Sequence, residues 1–155
     1  MIFNTLAEFK SALPHGTRLV GLDLGEKTIG LALSDSLRLI ASARTNLKRA
    51  KFAANAVQIE QVIAQEQAGG LVIGLPLNMD GSSGAAAQSA RAFARNFAAR
   101  SPLPILLWDE RLSTAAVTRT LLAADASRQR RREVVDKMAA AYILQGALDA
   151  MRNLP

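Results

Sequence analysis

The apolar positions along the chain follow two periods, and their order predicts an α/β fold. Three short runs near the start, at residues 18–24, 29–33 and 39–44, have the aliphatic and β-branched content of strands. Only a tight turn at Gly25 and Glu26 separates the first two runs. We therefore expect the three runs to form an antiparallel meander.

Helical spacing dominates the middle of the chain and alternates with two fully apolar runs. Apolar residues recur every three or four positions from Phe52 to Ile63, which predicts a helix that ends near Gly69-Gly70. A second helix is predicted to begin with Ser82 or Ser83 as its N-cap and to end by Pro102. Its apolar residues also lie on one face, which we expect to be buried. The apolar runs at 71–75 and 104–108 are typical of buried parallel strands.

The remainder of the chain predicts two more helices joined by a polar, basic connection at 125–132. The first is capped by Ser113 or Thr114 and the second carries an apolar stripe from Val134 to Leu148 that includes Met138. The complete order is β-β-β-α-β-α-β-α-α. It predicts one domain over 1–155, with a mixed five-stranded sheet of three antiparallel strands followed by two parallel ones, and helices on both faces.

The composition of the chain indicates the compartment and the class of partner, but it does not indicate the reaction. Half of the 155 residues are hydrophobic, and the chain has no cysteine, so disulfides and thiolate metal sites are excluded. The N-terminal residues lack the pattern of a signal peptide, and no segment reaches the ~18 apolar residues of a membrane span. We expect a cytoplasmic protein without a membrane partner. A net charge of +6 favours a polyanionic partner but is also explained by solubility alone.

A carboxylate stands in the middle of the first apolar strand. Asp23 lies between Leu22 and Leu24, and the positions on its own side of the strand are Gly21 and Gly25. An unpaired buried charge is costly, so Asp23 requires a cation, a hydrogen-bond network or water. The two glycines leave space around it, which favours a functional site.

Further carboxylates are expected at the same end of the sheet. Asp109 and Glu110 follow the last strand, Asp80 lies in the loop after Pro76, and Asp136 lies early in the final helix. Taken singly, Asp109 or Asp136 is better explained by solvation or by pairing with a neighbouring cation. Several carboxylates held together require a hard cation, and oxygen ligands suit Mg²⁺ or Mn²⁺.

Four ordered blocks resemble one known family. They are GLDLGEKTIGLALSD, VIGLPLNMDGSSG, WDERLSTAAV and VVDKMAAAYILQ, and together they extend over about 18–150. This pattern is similar to the YqgF/RuvX family of RNase H-like Holliday-junction resolvases or pre-16S rRNA processing nucleases. The resemblance implies an RNase H-like fold, a divalent metal and phosphodiester hydrolysis that leaves a 5′-phosphate and a 3′-hydroxyl.

The resemblance also assigns candidate residues. It implies that Asp23, Glu110 and Asp136 are the catalytic metal ligands, with Asp109 as the alternative to Glu110 because adjacent strand residues face opposite ways. Some related nucleases carry their second acid after the preceding strand, where this chain has only Asp80.

Basic and polar residues near these acids are the candidate nucleic-acid contacts: Lys27, Arg111, Thr114, Arg130, Arg131, Arg132 and Lys137. For the cluster Lys48, Arg49 and Lys51, substrate binding and plain solvation remain equal alternatives.

The leading hypothesis is a nuclease acting on the 5′ end of precursor 16S rRNA, in the pathway of ribosome biogenesis. Alternatives are a resolvase of branched DNA, which favours a homodimer over a monomer, and an rRNA-binding assembly factor without activity. The Asp-Leu-Gly turn also resembles the phosphate loop of sugar kinases and chaperone-type ATPases. Those proteins duplicate the sheet domain, and this chain has length for one copy.

Overall fold

The computed structural model describes residues 1–112 and 128–155, with the backbone alone for 128–137. Its elements, in chain order, are β1 (Ile2–Phe3), α1 (Leu6–Ala12), β2 (Arg18–Leu24), β3 (Thr28–Ser34), β4 (Ala41–Lys48), α2 (Phe52–Glu66), β5 (Ala68–Leu75), α3 (Ala85–Ala98), β6 (Ile105–Asp109), a 3₁₀ turn (Glu110–Leu112) and α4 (Arg128–Arg152). The helix predicted after Ser113 lies outside the described residues.

The strands form a mixed sheet in the order β1-β6-β5-β2-β3-β4. Strands β1, β6, β5 and β2 run parallel, while β3 is antiparallel to both β2 and β4. The antiparallel meander and the following parallel strands are thus confirmed. The expected count of five strands was one too few, because β1 has only two residues and is too short to show a period. Its pairing with β6 is extended by a bond from the Ile105 N–H to the Met1 carbonyl at 2.9 Å.

The third meander strand begins and ends later than predicted. The Asp35 carboxylate accepts bonds from the backbone N–H groups of Leu39 and Ile40 at 2.7 and 3.0 Å, so these apolar residues belong to the turn. Strand β4 then continues to Lys48 along an edge of the sheet, with mostly exposed or half-buried side chains. An edge strand of this kind has no continuous apolar run, which is why the predicted strand ended at residue 44.

The Gly69-Gly70 pair lies inside β5 and does not end the helix before it. Helix α2 ends at Glu66, and Gln67 takes the left-handed conformation of a C-cap with φ of 51°. A Cβ at Gly69 would collide with Thr17, and one at Gly70 with Leu13. The two glycines therefore serve close packing of the strand against the segment that precedes β2.

Each face of the sheet is covered by two helices. Residues that include Val20, Leu22 and Ile73 pack with α2 and α3 on one side, which we call the α2/α3 face. Residues that include Leu19 and Val72 pack with α1 and α4 on the other side, the α1/α4 face. Because side chains alternate along β2, Gly21 and Asp23 belong to the α1/α4 face and Leu24 to the α2/α3 face.

Both remaining helix boundaries differ from the expectation. Gly84 is the N-cap of α3 and gives no side-chain cap, so neither Ser82 nor Ser83 has that role. The last helix already begins at Arg128, inside the stretch predicted as a connection.

The predicted apolar stripe of α4 is confirmed at Ile143, Leu144 and Leu148 and is wrong at Met138. Met138 is 40% exposed, whereas the buried residues of this helix are Ala139, Ala140, Ile143, Leu144, Ala147, Leu148 and Met151. The Gln145 amide ties this helix to the β3–β4 turn through Leu39 and Ala41. Among the described residues, no helix is long and apolar enough to cross a membrane.

Helix α4 approaches β2 most closely at Gly21. A Cβ there would lie 2.8 Å from the Leu144 Cβ and 3.2 Å from the Ala140 carbonyl oxygen. Both of those atoms belong to or adjoin the helix backbone, so a side chain at position 21 would move the whole helix.

We predict that Gly21→Ala lowers the free energy of unfolding by about 1–3 kcal/mol, because the added methyl group overpacks the contact between α4 and β2. Urea denaturation followed by circular dichroism measures the change. Gly84→Ala is the matched control, since its Cβ would meet only the Asn78 side chain at 3.6 Å. Equal stability of Gly21→Ala and the parent protein would contradict the close packing.

Candidate active site

Asp23 is held on the second-last residue of β2, near the carboxyl end of the parallel strands. It is half-buried and faces the α1/α4 side of the sheet, as Gly21 does. The preceding residue, Leu22, is paired with Ile73 of β5, so the next residue of β5, Gly74, stands beside Asp23. Adjacent strands lie about 4.8 Å apart, and this sets the scale of the site.

Glu110 places its carboxylate in the space above Gly74. A Cβ at Gly74 would lie 2.7 Å from Glu110 Oε1 and 2.6 Å from Ile143 Cδ1 of α4. Only 5% of Glu110 is exposed, although it carries a carboxylate. The Glu110 carboxylate therefore lies over β5, the strand next to Asp23, on the face that Asp23 shares, and the missing side chain of Gly74 makes this position possible.

Asp109 is directed elsewhere. Its carboxylate accepts bonds from Arg111, including one from Nη2 at 2.7 Å and two from Nε at 3.1 Å. This hydrogen bonding by Arg111 holds the pKa of Asp109 below its usual value, against the opposing effect of partial burial. Residue alternation places Asp109 on the face opposite Trp108, which packs on the α1/α4 side. The geometry therefore favours Glu110 over Asp109 as the neighbour of Asp23.

Arg111 also connects this strand end to the loop after β5. Its Nη1 donates to the Met79 carbonyl at 3.3 Å, next to Gly81, whose φ is 87°. In the same loop Asp80 Oδ1 accepts from the Ser82 N–H and hydroxyl at 2.9 and 2.6 Å. These bonds to Ser82 lower the pKa of Asp80. Asp80 thus stabilises the turn of its own loop, and its side chain is exposed to solvent.

Several predicted site residues lie where no side chain is described. Position 136 belongs to α4, the helix that packs over Gly21 and Gly74, but its side chain lies outside the described residues. The same holds for the side chains of Arg130, Arg131, Arg132 and Lys137, and Thr114 lies outside the described residues altogether. Lys27 is exposed in the turn between β2 and β3.

Trp108 occupies the strand position next to Gly74, on the same face as Asp23. It is 8% exposed, which confirms that it belongs to the core, and within the described part of the chain its Nε1–H has no hydrogen-bond partner. Asp23 of β2, Gly74 of β5 and Trp108 of β6 therefore stand side by side on one face of the sheet. The Glu110 carboxylate lies over the middle position, Gly74.

Gly74 is a position of the candidate site that sequence reasoning missed. The signal was present, because a glycine inside an otherwise apolar strand marks a close approach by another group. We had used the run around it only as evidence for a buried strand.

The donor set fits a hard divalent cation. Asp23 near the end of β2 and Glu110 just after β6 offer carboxylate oxygens as ligands, and Gly74 of the intervening strand β5 carries no side chain that would displace Glu110. Among the residues with described side chains, no group of three possible metal ligands is found.

Comparison with known proteins identifies the family of this chain. A family model described as RuvX, Holliday junction resolvase, matches residues 17–150. The chain belongs to the RuvX family. Two RuvX relatives have the name "Putative pre-16S rRNA nuclease". The one from Zymomonas mobilis is 61% identical over 92% of this chain and 86% of its own length, and the one from Paracoccus denitrificans is 54% identical over 99% and 98%.

Solved structures show the fold that RuvX shares with distant proteins. The RuvC of T. thermophilus in complex with a Holliday junction substrate aligns with a TM-score of 0.52 at 13% identity, over 88% of this chain and 96% of that one. The yeast mitochondrial Holliday junction resolvase Ydc2 aligns with a TM-score of 0.50 at 11% identity, over 95% and 84%. The predicted RNase H-like α/β architecture is thereby confirmed.

We predict that Arg111→Gln raises the pKa of Asp109 toward the ordinary value of about 3.9. A carboxylate with a lowered folded pKa contributes stability above its unfolded pKa and loses it as the pH falls through the folded pKa. The difference in stability between Arg111→Gln and the parent should accordingly disappear in acid. Carboxyl ¹³C NMR titration measures the pKa, and Arg91→Gln, which alters an arginine bonded to Ser83, is the control. An unchanged Asp109 titration would contradict the pairing.

Proposed function

We propose that this RuvX chain is a single-domain, divalent-metal-dependent nuclease that processes the 5′ end of precursor 16S rRNA in the cytoplasm. One observation carries the proposal: Asp23 at the carboxyl end of β2 and Glu110 just after β6 lie on one face of the sheet, and Gly74 of the intervening strand β5 leaves room for the Glu110 carboxylate. Ligands of α/β sheets bind at this end of the strands. The names of the relatives support the choice of substrate.

Asp23, Glu110 and Asp136 would hold Mg²⁺ or Mn²⁺. Such a cation supplies an activated water and stabilises the charge that develops on the leaving oxygen. Asp23 is fixed by a central strand, and burial in the packing beneath α4 restricts Glu110. The site therefore limits the positions of two carboxylates before any ligand arrives, which lowers the entropy cost of assembling it.

The substrate phosphates require cations around these acids. Lys27 and Arg111 border the carboxyl end of the sheet, and we assign phosphate contacts also to Thr114, Arg130, Arg131, Arg132 and Lys137. The Arg111 guanidinium already forms an ion pair with Asp109. Its first role is therefore to fix the segment after β6 relative to the loop after β5. The arginines at positions 130–132 would add positive charge to the path of the phosphates.

A second candidate function is resolution of four-way DNA junctions. The description of the family and the fold shared with RuvC favour it. Symmetric cutting of a junction requires two active sites, so this function would need a homodimer, whereas a monomer suffices for rRNA. An assembly factor that binds rRNA without cutting it is the third candidate.

We predict that the protein cuts a fragment spanning the 5′ end of precursor 16S rRNA with Mg²⁺ or Mn²⁺ and not with EDTA. Asp23→Asn, Glu110→Gln and Asp136→Asn should each reduce the cleavage rate by more than about 100-fold, because each removes one charged oxygen ligand. Asp80→Asn is the matched control, since its carboxylate lies at the same edge of the sheet and, in the described part of the chain, accepts its hydrogen bonds from Ser82 of its own loop.

A synthetic four-way DNA junction, assayed beside the RNA, separates the candidates. Cleavage of the junction alone would make the protein a resolvase, and binding of the RNA without cleavage by any metal would favour the assembly factor. Full activity of Glu110→Gln together with loss in Asp109→Asn would replace Glu110 by Asp109 in the site.

We further predict that Gly74→Ala abolishes cleavage while the protein still folds. The new methyl group would lie only 2.7 Å from Glu110 Oε1 and would displace the carboxylate, and both atoms nearest to it are the ends of flexible side chains that can move aside. Cleavage rate and urea denaturation, measured together, test this. Normal activity in Gly74→Ala would show that the Glu110 carboxylate is not needed in its place above Gly74.

A further inference from the structure

A groove of about 380 Å³ opens at the carboxyl end of β2, on the opposite side of that strand from Asp23. Leu24 and Gly25 form its floor, and the first turn of α3 forms one wall. Leu24 follows Asp23 directly but faces the α2/α3 side. The groove therefore adjoins the carboxylate site across the edge of the sheet, without sharing a side chain with it.

Arg49 lines this groove and is fixed there. Its Nη1 donates to the Gly25 carbonyl at 2.7 Å, its Nη2 to the Ser89 hydroxyl at 3.5 Å, and its backbone N–H to the Lys27 carbonyl at 2.8 Å. A guanidinium has five N–H donors, and these bonds use only two of them. The side chain is thus positioned while most of its donors remain available to a ligand.

The positive charge of Arg49 also differs from that of most arginines in the described residues. Arg18, Arg44, Arg100, Arg111 and Arg152 each lie within ion-pair distance of a carboxylate. Arg49 has no such partner among the residues that the structure describes, and its two side-chain bonds go to uncharged oxygens. An arginine held by neutral acceptors keeps its full charge for an incoming anion.

The rest of the lining is compatible with a phosphate. Ser89 contributes a hydroxyl, and the first turn of α3 carries no acidic residue. Glu26 is the acid that lines the groove, and it is exposed to solvent at the turn after β2.

We infer that this groove binds a backbone phosphate of the nucleic-acid substrate that flanks the phosphate cut at Asp23. The inference rests on the proposed function and extends it, because it assigns Arg49 and Ser89 to the path of the strand across the sheet edge. A strand that crosses this edge passes from the α1/α4 face, where cleavage takes place, to the α2/α3 face, where Arg49 holds it. Arg49 is a binding residue and takes no part in the chemistry.

Binding to a non-cleaving protein tests the groove apart from catalysis. We would measure fluorescence anisotropy of a labelled RNA spanning the 5′ end of precursor 16S rRNA with Asp23→Asn in Mg²⁺, over a range of KCl concentrations. Adding Arg49→Gln should raise Kd about three- to tenfold and reduce the slope of log K against log salt by about 0.7, the value for one phosphate of a single strand.

Arg100→Gln is the matched control. It removes the same charge, from an arginine paired with Glu60 just after the other end of α3, about 20 Å along the helix from the groove. At that distance screening removes most of its effect on a phosphate in the groove.

The outcomes distinguish a failure of the groove assignment from a failure of the proposed nuclease function. If Arg49→Gln and Arg100→Gln change Kd and the salt slope equally, the groove is not a phosphate site, while the proposed function stands. If the parent binds neither the RNA nor a four-way junction, the proposed function fails and the groove assignment fails with it. A selective effect of Arg49→Gln supports the groove even if cleavage is never observed.

Discussion

The close approach of α4 to the centre of the sheet is the contact on which the site depends. Two strand positions without a side chain, Gly21 and Gly74, allow it. At Gly21 the helix backbone itself fills the space of the missing Cβ, and at Gly74 the space is shared by Ile143 and the Glu110 carboxylate. The same packing that buries the apolar stripe of α4 thus encloses one carboxylate beside another.

This arrangement requires two consecutive residues of β2 to face opposite sides of the sheet. Asp23 must face α4 and its neighbouring acid, while Leu24, one residue later, must face the core beneath α2 and α3. Strand alternation satisfies both demands at no cost in strain. It also means that the two sides of the sheet edge offer different chemistry, with acids under α4 and the guanidinium of Arg49 near α3.

Sequence patterns predicted the elements whose residues are buried in the core. They did not predict features that depend on backbone pairing at the sheet edge or on close contact between distant segments. The apolar run of β5 and the isolated Asp23 were informative because both express burial directly. The second half of β4 was not, because an edge strand has little to bury and its backbone pairing leaves no periodic signal. The roles of Gly69 and Gly70 depend on Thr17 and Leu13, residues distant in sequence, so a local reading took the pair for the end of a helix.

Trp108 is the only tryptophan of the chain, and it stands beside Gly74 in the row that contains Asp23. Its indole is buried, and its N–H has no acceptor among the described residues. The emission of such an indole depends on the charges and hydrogen bonds close to it. The tryptophan fluorescence of the unlabelled protein therefore comes from one place, beside the candidate site, and provides an optical signal of what happens there.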